Sequence, residues 1–267
     1  MSATLKNKRI LVTRPAHQAD QLCRLISDAG GIPVLFPTIE IRPVLNPEKL
    51  SAKLSACFAN IDQYDFIIFV SRNAVTAVFD HYLSKDGLLA EKIQILAIGS
   101  GTAAALSELA MSDVLHAGVQ ADSESLLLLP ELDSELVRNK KILIVRGVGG
   151  RELLADNLKQ RGALVDYAEV YQRALPEYDI QQCRELWQNE QLDAVIISSN
   201  EGLENLLKLT ADADQEKLFK TPLIVMSARN AELAKQTGFI TETAIAKEKN
   251  DEGLLLALLE LVGEIQV

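Results

Sequence analysis

The side chains best suited to chemistry stand directly after short apolar runs of the chain. They carry hydroxyl, guanidinium or amide groups, and they are Thr13, Arg14, Ser71, Arg72, Asn73, Gly99–Thr102, Arg146, Ser198–Asn200 and Ser227–Asn230. Such groups bind oxyanions through hydrogen bonds and ion pairs. Paired catalytic carboxylates, a nucleophile–base pair and a metal-binding cluster are not recognisable in the sequence. The pattern therefore favours binding and catalysis by positioned donors.

The apolar runs that precede these side chains are typical of buried strands. They are Arg9–Val12, Phe66–Val70, Lys92–Ile98, Lys140–Val145, Ala194–Ile197 and Pro222–Met226, and a helical pattern follows each of them. Alternating strands and helices predict parallel sheets that are covered on both faces. Ligands of such sheets bind at the carboxyl ends of the strands, which is where the polar groups stand.

Three of these units occur twice in the chain. ILVTRP resembles ILIVRG, FIIFVSRNAV resembles VIISSNEGL, and ILAIGSGTAAAL resembles LIVMSARNAELA. The copies are separated by roughly 130 residues, which indicates a duplicated domain and not a short-period solenoid.

Two extended stretches are predicted to connect the duplicated domains. Val34–Arg42 contains an internal proline, which suits an edge or linker strand, and Asp166–Pro176 is rich in strand formers before a proline ends it. We expect the two stretches to pair as a linker and the active site to be the cleft that they span. Tyr171, within the second stretch, is the first candidate for a functional residue.

Composition excludes several classes of protein. The 267 residues are 48% hydrophobic and 24% charged, a globular balance that suffices for one large domain or two of ordinary size. The net charge of −10 argues against nucleic acid as a partner. An anionic substrate would therefore be held by local donors and not by the field of the whole protein.

Cysteines and apolar segments indicate a cytoplasmic protein. Cys23, Cys57 and Cys183 are scattered and predict reduced thiols, and the three histidines do not have metal-ligand spacing. Gly253–Leu259 is the longest apolar run and is too short to span a bilayer, and Met1–Lys8 does not resemble a secretory signal. We expect no membrane association and, by default, a monomer.

Taken in order, these motifs resemble uroporphyrinogen-III synthases along almost the whole chain. The matching signatures are LVTRP, FVSRNAV, AIGSGTAAAL, the RGVGGRELL…GALV…VYQR run and ISSNEGLENLL. The resemblance implies an α/β fold of two similar parallel-sheet domains joined by a two-stranded antiparallel linker. One domain would comprise residues 1–36 and 175–267, the other residues 42–166, and the linker strands residues 37–41 and 167–174.

The resemblance also implies a reaction that needs no cofactor and no metal. Hydroxymethylbilane, a linear tetrapyrrole that its own synthase could hand over, loses its hydroxyl to give an azafulvene cation. The last ring is then attacked at its substituted carbon, and a spiro intermediate fragments and recloses to give uroporphyrinogen III with that ring inverted. Spontaneous closure gives isomer I, so the enzyme would control geometry as well as rate.

The family's functional residues map onto this chain one by one. Tyr171 matches the tyrosine thought to assist departure of the hydroxyl, and Thr102 matches the threonine of a G-x-x-T loop whose amides, including that of Gly101, suit a carboxylate. Ser71 corresponds to a substrate-binding serine. Arg72 follows it, although the position of that arginine varies. The alternative for Tyr171 is a tyrosine that only packs, for Thr102 an ordinary hydroxyl at a helix start, and for Arg72 a solvated loop charge.

Other positions carry the resemblance less cleanly. Ser198 and Ser199 are both candidates for the matching serine of the other domain, and Asn230 stands where a threonine is expected. Arg14 and Arg146 are the repeated arginines at strand ends, and each would either bind a substrate carboxylate or tie down its own loop.

Two other functions compete with this one. Gly99-x-Gly101-x-x-Ala104 fits a dinucleotide fingerprint, but it does not follow the first strand, and no acidic residue clearly ends a strand at the usual distance. A nucleotide-dependent enzyme is therefore the first alternative. The second is a ligand-binding or sensor module, because the same fold class hosts both.

Overall fold

The structure is a computed structural model, and it describes residues 3–44, 50–82, 92–111, 113–118, 122–189 and 191–265. The chain divides into two compact units. Unit 1 consists of Met1–Glu40 and Ala174–Val267, and unit 2 consists of Ile41–Arg173. Within the described ranges, no helix combines the length and the apolar character that a membrane span requires.

Strands and helices alternate along most of the chain. The strands are β1 (Ala3–Thr4), β2 (Arg9–Val12), β3 (Ile32–Leu35), β4 (Glu40–Pro43), β5 (Phe66–Phe69), β6 (Gln94–Ala97), β7 (Leu115–His116), β8 (Lys141–Gly147), β9 (Leu164–Ala174), β10 (Ala194–Ile197), β11 (Leu223–Val225), β12 (Thr243–Ile245) and β13 (Glu264–Ile265). The helices are α1 (Asp20–Asp28), α2 (Leu50–Ala59), α3 (Arg72–His81), α4 (Ser100–Ser107), α5 (Ser123–Leu126), α6 (Ser134–Val137), α7 (Leu153–Gln160), α8 (Ile180–Asn189), α9 (Asn200–Leu209), α10 (Gln215–Phe219), α11 (Ala228–Thr237) and α12 (Asp251–Val262).

The main sheet of unit 1 has five parallel strands in the order β12-β11-β10-β2-β3. Its central strand β10 is buried along its whole length. Val195 and Ile197 pack into one core, and Ala194 and Ile196 pack into the other. An apolar run without alternation is what a strand covered on both faces needs, which is why the sequence identified this strand correctly.

The sheet of unit 2 has six strands in the order β4-β9-β8-β5-β6-β7. The neighbours from β9 to β7 are parallel. Here too the central strand serves two cores: Ile67 and Phe69 of β5 pack on one face, and Phe66 and Ile68 pack on the other. The predicted fold class, α/β with parallel sheets, is therefore confirmed.

The predicted extended stretch Val34–Arg42 is wrong as a single element. Its first residues belong to β3, which pairs with β2 inside unit 1, and β4 begins only at Glu40. Residues 36–39 between them are not a strand, because Pro37 has no N–H and the next residue bonds elsewhere. The amide and the hydroxyl of Thr38 both donate to the carbonyl of Thr13, at 3.0 and 3.2 Å.

The second predicted linker stretch is also more than a linker. β9 runs from Leu164 to Ala174 and lies parallel to β8 from Lys141 to Gly147, as an integral strand of the sheet. β4 is its neighbour on the other side. The amide of Val44, which follows β4, donates to the carbonyl of Val170 at 3.2 Å.

Several residues predicted to lie in loops belong to regular elements. Arg146 is part of β8. Arg72, Gly101 and Thr102 lie in the first turns of α3 and α4, and Asn230 lies in the first turn of α11. The loops after β5, β6, β10 and β11 are shorter than predicted, because only two residues separate each of these strands from its helix.

The turn between β3 and β4 is held by a buried side chain, and its loss gives a testable effect. Asn205 is 6% exposed and donates from Nδ2 to the carbonyl of Thr38 at 2.9 Å. Asn205→Ala leaves that buried carbonyl without this donor, so we expect a loss of about 2 kcal/mol in the free energy of unfolding, measured by urea denaturation. Asn60, which is exposed, makes the same kind of bond to the carbonyl of Ala56 at 2.8 Å.

Asn60→Ala is therefore the matched control, and we expect it to change the free energy of unfolding by less than about 0.5 kcal/mol. Equal losses in the two variants would show that burial of the Asn205 bond does not matter.

Candidate active site

Four strand ends lead into helices in the same way. In each case the residue that caps the helix stands two positions after the last strand residue, and the four caps are Ser71, Gly99, Ser199 and Ser227. The three serine oxygens accept from the backbone amide three residues later, at 3.1, 3.0 and 3.3 Å. Serine is among the best helix caps, so these hydroxyls have a structural role whatever else they bind.

The cap in unit 2 also touches the first candidate residue. Ser71 Oγ lies 3.1 Å from Tyr171 Oη, and the Tyr171 side chain is 4% exposed. Because β5 and β9 both run parallel to β8, their carboxyl ends meet at one edge of the sheet, and this brings two residues a hundred positions apart into contact. Because the buried phenol makes only this hydrogen bond to the described residues, it retains further capacity to donate or accept.

Thr102 differs from the other buried threonines. The hydroxyls of Thr13, Thr38, Thr210 and Thr221 each donate to a backbone carbonyl. Thr102 is 6% exposed, and its hydroxyl has no hydrogen-bond partner among the residues that the structure describes. It occupies the third position of α4, within the first turn of the helix, where the helix dipole attracts anions.

Gly101, beside Thr102, leaves room at the start of α4. A Cβ atom built on it meets no other atom within 4 Å. The side of the helix start that Gly101 faces is therefore open, and a ligand can approach the backbone there.

Arg146 is committed to its own surroundings. Its side chain is 8% exposed and bonds Glu152 at 2.8 Å and Glu169 at 3.0 Å. It also donates to the carbonyls of Gly150 and Arg151, and its guanidinium lies 3.7 Å from the ring centre of Tyr167. This geometry supports the alternative in which Arg146 ties down its own loop.

The charges of this cluster stabilise one another. Burial disfavours the charge of Arg146, but the bonds to Glu152 and Glu169 and the proximity of Tyr167 outweigh it and raise the pKa of the guanidinium. The Tyr167 hydroxyl donates to Glu152 at 2.5 Å and, together with Arg146, lowers the pKa of that carboxyl. Burial and the same bond raise the pKa of Tyr167. The cluster is thus a satisfied network and not a poised acid or base.

The other two candidate arginines differ from each other. Arg14 forms an ion pair with Asp251 at the start of α12, and both side chains are largely buried. Arg72 is the first residue of α3 and is exposed, and its guanidinium has no partner in the described part of the chain. Of the predicted arginines, Arg72 is therefore the one whose charge is available to a ligand.

In unit 1 the candidate amide is part of a local network. Asn230 is 6% exposed; its Nδ2 donates to Asn200 Oδ1 at 2.6 Å, and its Oδ1 accepts from Ser227 at 2.7 Å. Of the two candidate serines, Ser199 is the helix cap and occupies the position equivalent to Ser71, whereas Ser198 precedes the cap.

Sequence reasoning missed the acidic partners of the arginines. Glu152, Glu169 and Asp251 engage Arg146 and Arg14, so neither arginine is free to bind a ligand without exchanging partners. The signal that could have identified Glu152 and Asp251 is their position at the start of a following helix, whereas Glu169 lies within β9 and gives no such signal. Helix starts favour acids, and parallel strands bring helix starts to the same edge of the sheet as the arginines.

A cavity lies at the opposite edge of the unit 2 sheet. Its volume is about 390 Å³, and it is lined by Ala56, Cys57, Asn60, Gln63, Tyr64, Lys141 and Asp166. Its polar groups already bond each other, since Tyr64 donates to Asp166 at 3.0 Å and Lys141 donates to Gln63 at 3.3 Å. The cavity is therefore separate from the strand-end residues.

Among the described residues, no three His, Cys, Asp or Glu side chains are placed to hold a metal ion.

Fold and site together define a parallel-sheet α/β protein with hydroxyl, amide and arginine groups at its strand ends. A family model described as uroporphyrinogen-III synthase HemD matches residues 20–255. The uroporphyrinogen-III synthase of Escherichia coli (strain K12) is 33% identical over 250 residues, which are 93% of this chain and 99% of that protein. The Salmonella typhimurium synthase is 33% identical over 252 residues, with the same coverage. This chain therefore belongs to the uroporphyrinogen-III synthase family.

Solved structures agree on the fold. Uroporphyrinogen-III synthetase from Helicobacter pylori superposes with a TM-score of 0.61 at 16% identity, covering 95% of this chain and 99% of the other. A mutant uroporphyrinogen III synthase from Thermus thermophilus gives a TM-score of 0.58 at 19% identity, with 96% and 98% coverage. At such identities the similarity concerns the fold.

The network around Arg146 predicts a stability effect. Arg146→Met removes two ion pairs and two bonds to carbonyls and leaves Glu152 and Glu169 facing each other. We therefore expect the free energy of unfolding to fall by about 2 kcal/mol in urea denaturation. Arg151→Met removes the same charge from the same loop at an exposed side chain and should change it by less than about 0.5 kcal/mol. Indistinguishable losses would contradict a structural role for Arg146.

Proposed function

We propose that the chain is a uroporphyrinogen-III synthase that converts hydroxymethylbilane to uroporphyrinogen III, as a cyclising lyase of heme biosynthesis. The observation that carries this proposal is the similarity to synthases over 99% of their length. No large segment of those enzymes therefore lacks a counterpart in this chain. The strand-end donors support it, because a substrate with eight carboxylates needs hydrogen-bond donors and cations.

The proposed chemistry starts with departure of the terminal hydroxyl as water. The resulting azafulvene cation is attacked by the substituted carbon of the last ring, and the spiro intermediate reopens and closes with that ring inverted. Free closure in water gives isomer I, so the protein must fold the linear chain and shield the cation. Hydrogen-bond donors held in fixed positions suit this folding and shielding of the substrate, and paired catalytic carboxylates are not needed for it.

Tyr171 is the proposed proton donor to the departing hydroxyl. Its phenol is 4% exposed and hydrogen-bonded to Ser71, so it is held in place while one direction of bonding remains open. A hydroxide is a poor leaving group, and a proton delivered during bond cleavage turns it into water. The alternative, a tyrosine that only packs, would make the Ser71 bond incidental.

Thr102, Gly101 and Arg72 are the proposed carboxylate-binding groups of unit 2. Thr102 offers a hydroxyl that no described residue bonds, Gly101 an open backbone, and Arg72 an exposed guanidinium, all near helix starts. Ser199 is the proposed counterpart of Ser71 in unit 1, and substrate contacts of Ser198 and Asn230 stay predictions. Arg14 and Arg146 would have to leave carboxylate partners to bind substrate, so we assign them to structure first.

The finer organisation also belongs to this proposal. We take the units to be two domains, with residues 1–36 and 175–267 in one, residues 42–166 in the other, and an antiparallel pairing of the connecting strands. Reduced thiols are consistent with a cytoplasmic enzyme, and we expect a monomer. A sensor module would bind a linear tetrapyrrole and leave it linear, so turnover separates it from an enzyme.

The direct test supplies the purified protein with freshly generated hydroxymethylbilane, without added cofactor, followed by oxidation and separation of the porphyrin isomers. We expect isomer III to predominate over the level in a control without enzyme, because the protein sets the geometry of closure. Isomer I alone, at the spontaneous rate, would refute the proposed function.

The Thr102 hydroxyl, which bonds no residue in the described ranges, gives a second prediction. Thr102→Val keeps the shape and removes only the hydroxyl, so we expect turnover to fall about tenfold or more while the free energy of unfolding changes by less than about 0.5 kcal/mol. Thr102→Ser should restore most of the activity. Turnover is followed by isomer III formation, and stability by urea denaturation.

Thr13→Val is the matched stability control. Thr13 is 3% exposed and donates to the carbonyl of Ile196 at 2.8 Å, so this variant should lose about 1 kcal/mol. If Thr102→Val is active but destabilised like Thr13→Val, the Thr102 hydroxyl is structural and the assignment is wrong.

A further inference from the structure

The pairing of β8 with β9 contains an irregularity next to Tyr171. The register runs from Lys141 opposite Leu164 to Arg146 opposite Glu169, but the next partner of Gly147 is Tyr171. Val170 is therefore one extra residue in β9, and the two strands form a β-bulge at this point. Bulges re-aim side chains because they break the alternation of a strand.

The consequence of the bulge is visible in the cores. Ala168 and Val170 pack in the core that contains α3, and in a regular strand Tyr171 would point to the opposite face, with Tyr167. Instead Tyr171 packs in the same core as Ala168 and Val170, while Tyr167 packs against the other. The extra residue thus turns the phenol toward α3, where Ser71 caps the helix.

Gly147 provides the space that the turned ring occupies. A Cβ atom at this position would lie 2.7 Å from Cε2 and Cζ of Tyr171 and 3.1 Å from its hydroxyl oxygen. Real Cβ atoms do not come so close, so any side chain at residue 147 must displace the ring. Gly147 does not have a positive φ, which means that space and not backbone conformation requires glycine here.

Ser71 completes the positioning of the hydroxyl. Its oxygen already accepts from the amide of Ala74 at 3.1 Å, while its own proton is free to be donated. A hydroxyl that accepts one bond becomes a better donor for the next. If Ser71 donates to Tyr171 Oη, the proton of Tyr171 is left to point elsewhere.

We propose that Gly147 and the β-bulge beside it are the positioning device of Tyr171, and that Ser71 donates to the phenol so that its proton faces the substrate. This inference rests on the proposed function. In the step concerned, the phenol proton passes to the leaving hydroxyl, the C–O bond breaks with its electrons on oxygen, and water departs. The phenolate then accepts a hydrogen bond from Ser71. It is reprotonated by the proton that the ring system releases on closure.

The test of Gly147 is a double-mutant cycle of Gly147→Ala and Tyr171→Phe. We expect Gly147→Ala to lower kcat for isomer III by about tenfold or more with KM within about threefold, because a displaced donor affects the reacting atoms and not binding. In the Tyr171→Phe background the same substitution should lower kcat no further. Gly150→Ala is the control in the same loop, since its Cβ would contact the Arg146 side chain at 3.3 Å and the carbonyl oxygen of Gly147 at 3.7 Å and would not meet Tyr171. It should stay within about twofold of the parent protein.

Ser71 is tested independently of steric effects. Ser71→Gly keeps most of the capping because glycine is a tolerable cap, but it removes the donor, whereas Ser71→Thr keeps both. We expect Ser71→Gly to lower kcat and Ser71→Thr to restore it. The Raman doublet of Tyr171 is obtained as the difference between the spectrum of each protein and that of its Tyr171→Phe counterpart. In the parent protein we expect the doublet of a phenol that accepts a hydrogen bond. In Ser71→Gly this signature should be lost.

The outcomes separate this inference from the proposed function. If the parent protein makes isomer III and Tyr171→Phe is slow but Gly147→Ala is unaffected, or if the two substitutions are additive, the positioning role is refuted and the function stands. A Raman signature of a donating phenol in the parent protein refutes the role of Ser71. Without isomer III in the parent protein the function fails, and the Raman comparison still decides the geometry.

Discussion

The site depends on one constraint, the fixed step from the end of a parallel strand to the start of its helix. Four times in this chain the cap stands two residues after the strand, so that the helix amides and the cap side chain arrive at the same edge of the sheet. Where the cap is serine, its hydroxyl is bound into the helix. Where it is Gly99, the place of a cap side chain is empty, and Thr102 follows with a hydroxyl that no described residue uses.

Electrostatics decides between the arginines. The protein as a whole is strongly acidic, so a polyanionic substrate is not attracted by its overall field, and local cations have to compensate. Arg146 gains ion pairs in a buried setting and would lose them on binding a ligand, and Arg14 is paired with Asp251. An exposed guanidinium such as that of Arg72 gives up only bound water when it binds a carboxylate. Of these arginines it therefore binds a carboxylate at the smallest cost in free energy.

The sequence predicted the parts of the fold that depend on burial. Ala194–Ile197 and Phe66–Phe69 are apolar on every residue, which a strand covered on both faces explains. Val34–Arg42 was mispredicted as one extended element, because β3 and β4 are two short strands separated by residues 36–39, which include Pro37.

The parts that could not be predicted depend on tertiary contacts. A one-residue shift in register, such as that at Val170, leaves no composition signal, yet it decides the face on which Tyr171 lies. The partners of Arg146 were hidden for the same reason, since Glu169 reaches it across neighbouring strands and not along the chain.

In the proposed mechanism, Tyr171 delivers a proton to the departing hydroxyl. The most direct measurement compares the parent protein with Tyr171→Phe on two substrates: hydroxymethylbilane, and its analogue with an acetate ester in place of the terminal hydroxyl. Acetate leaves without a proton, so we expect a large rate ratio between the two proteins for the hydroxyl substrate and a ratio close to one for the ester. The same large ratio for both substrates would contradict it, because Tyr171 would then act on some other step.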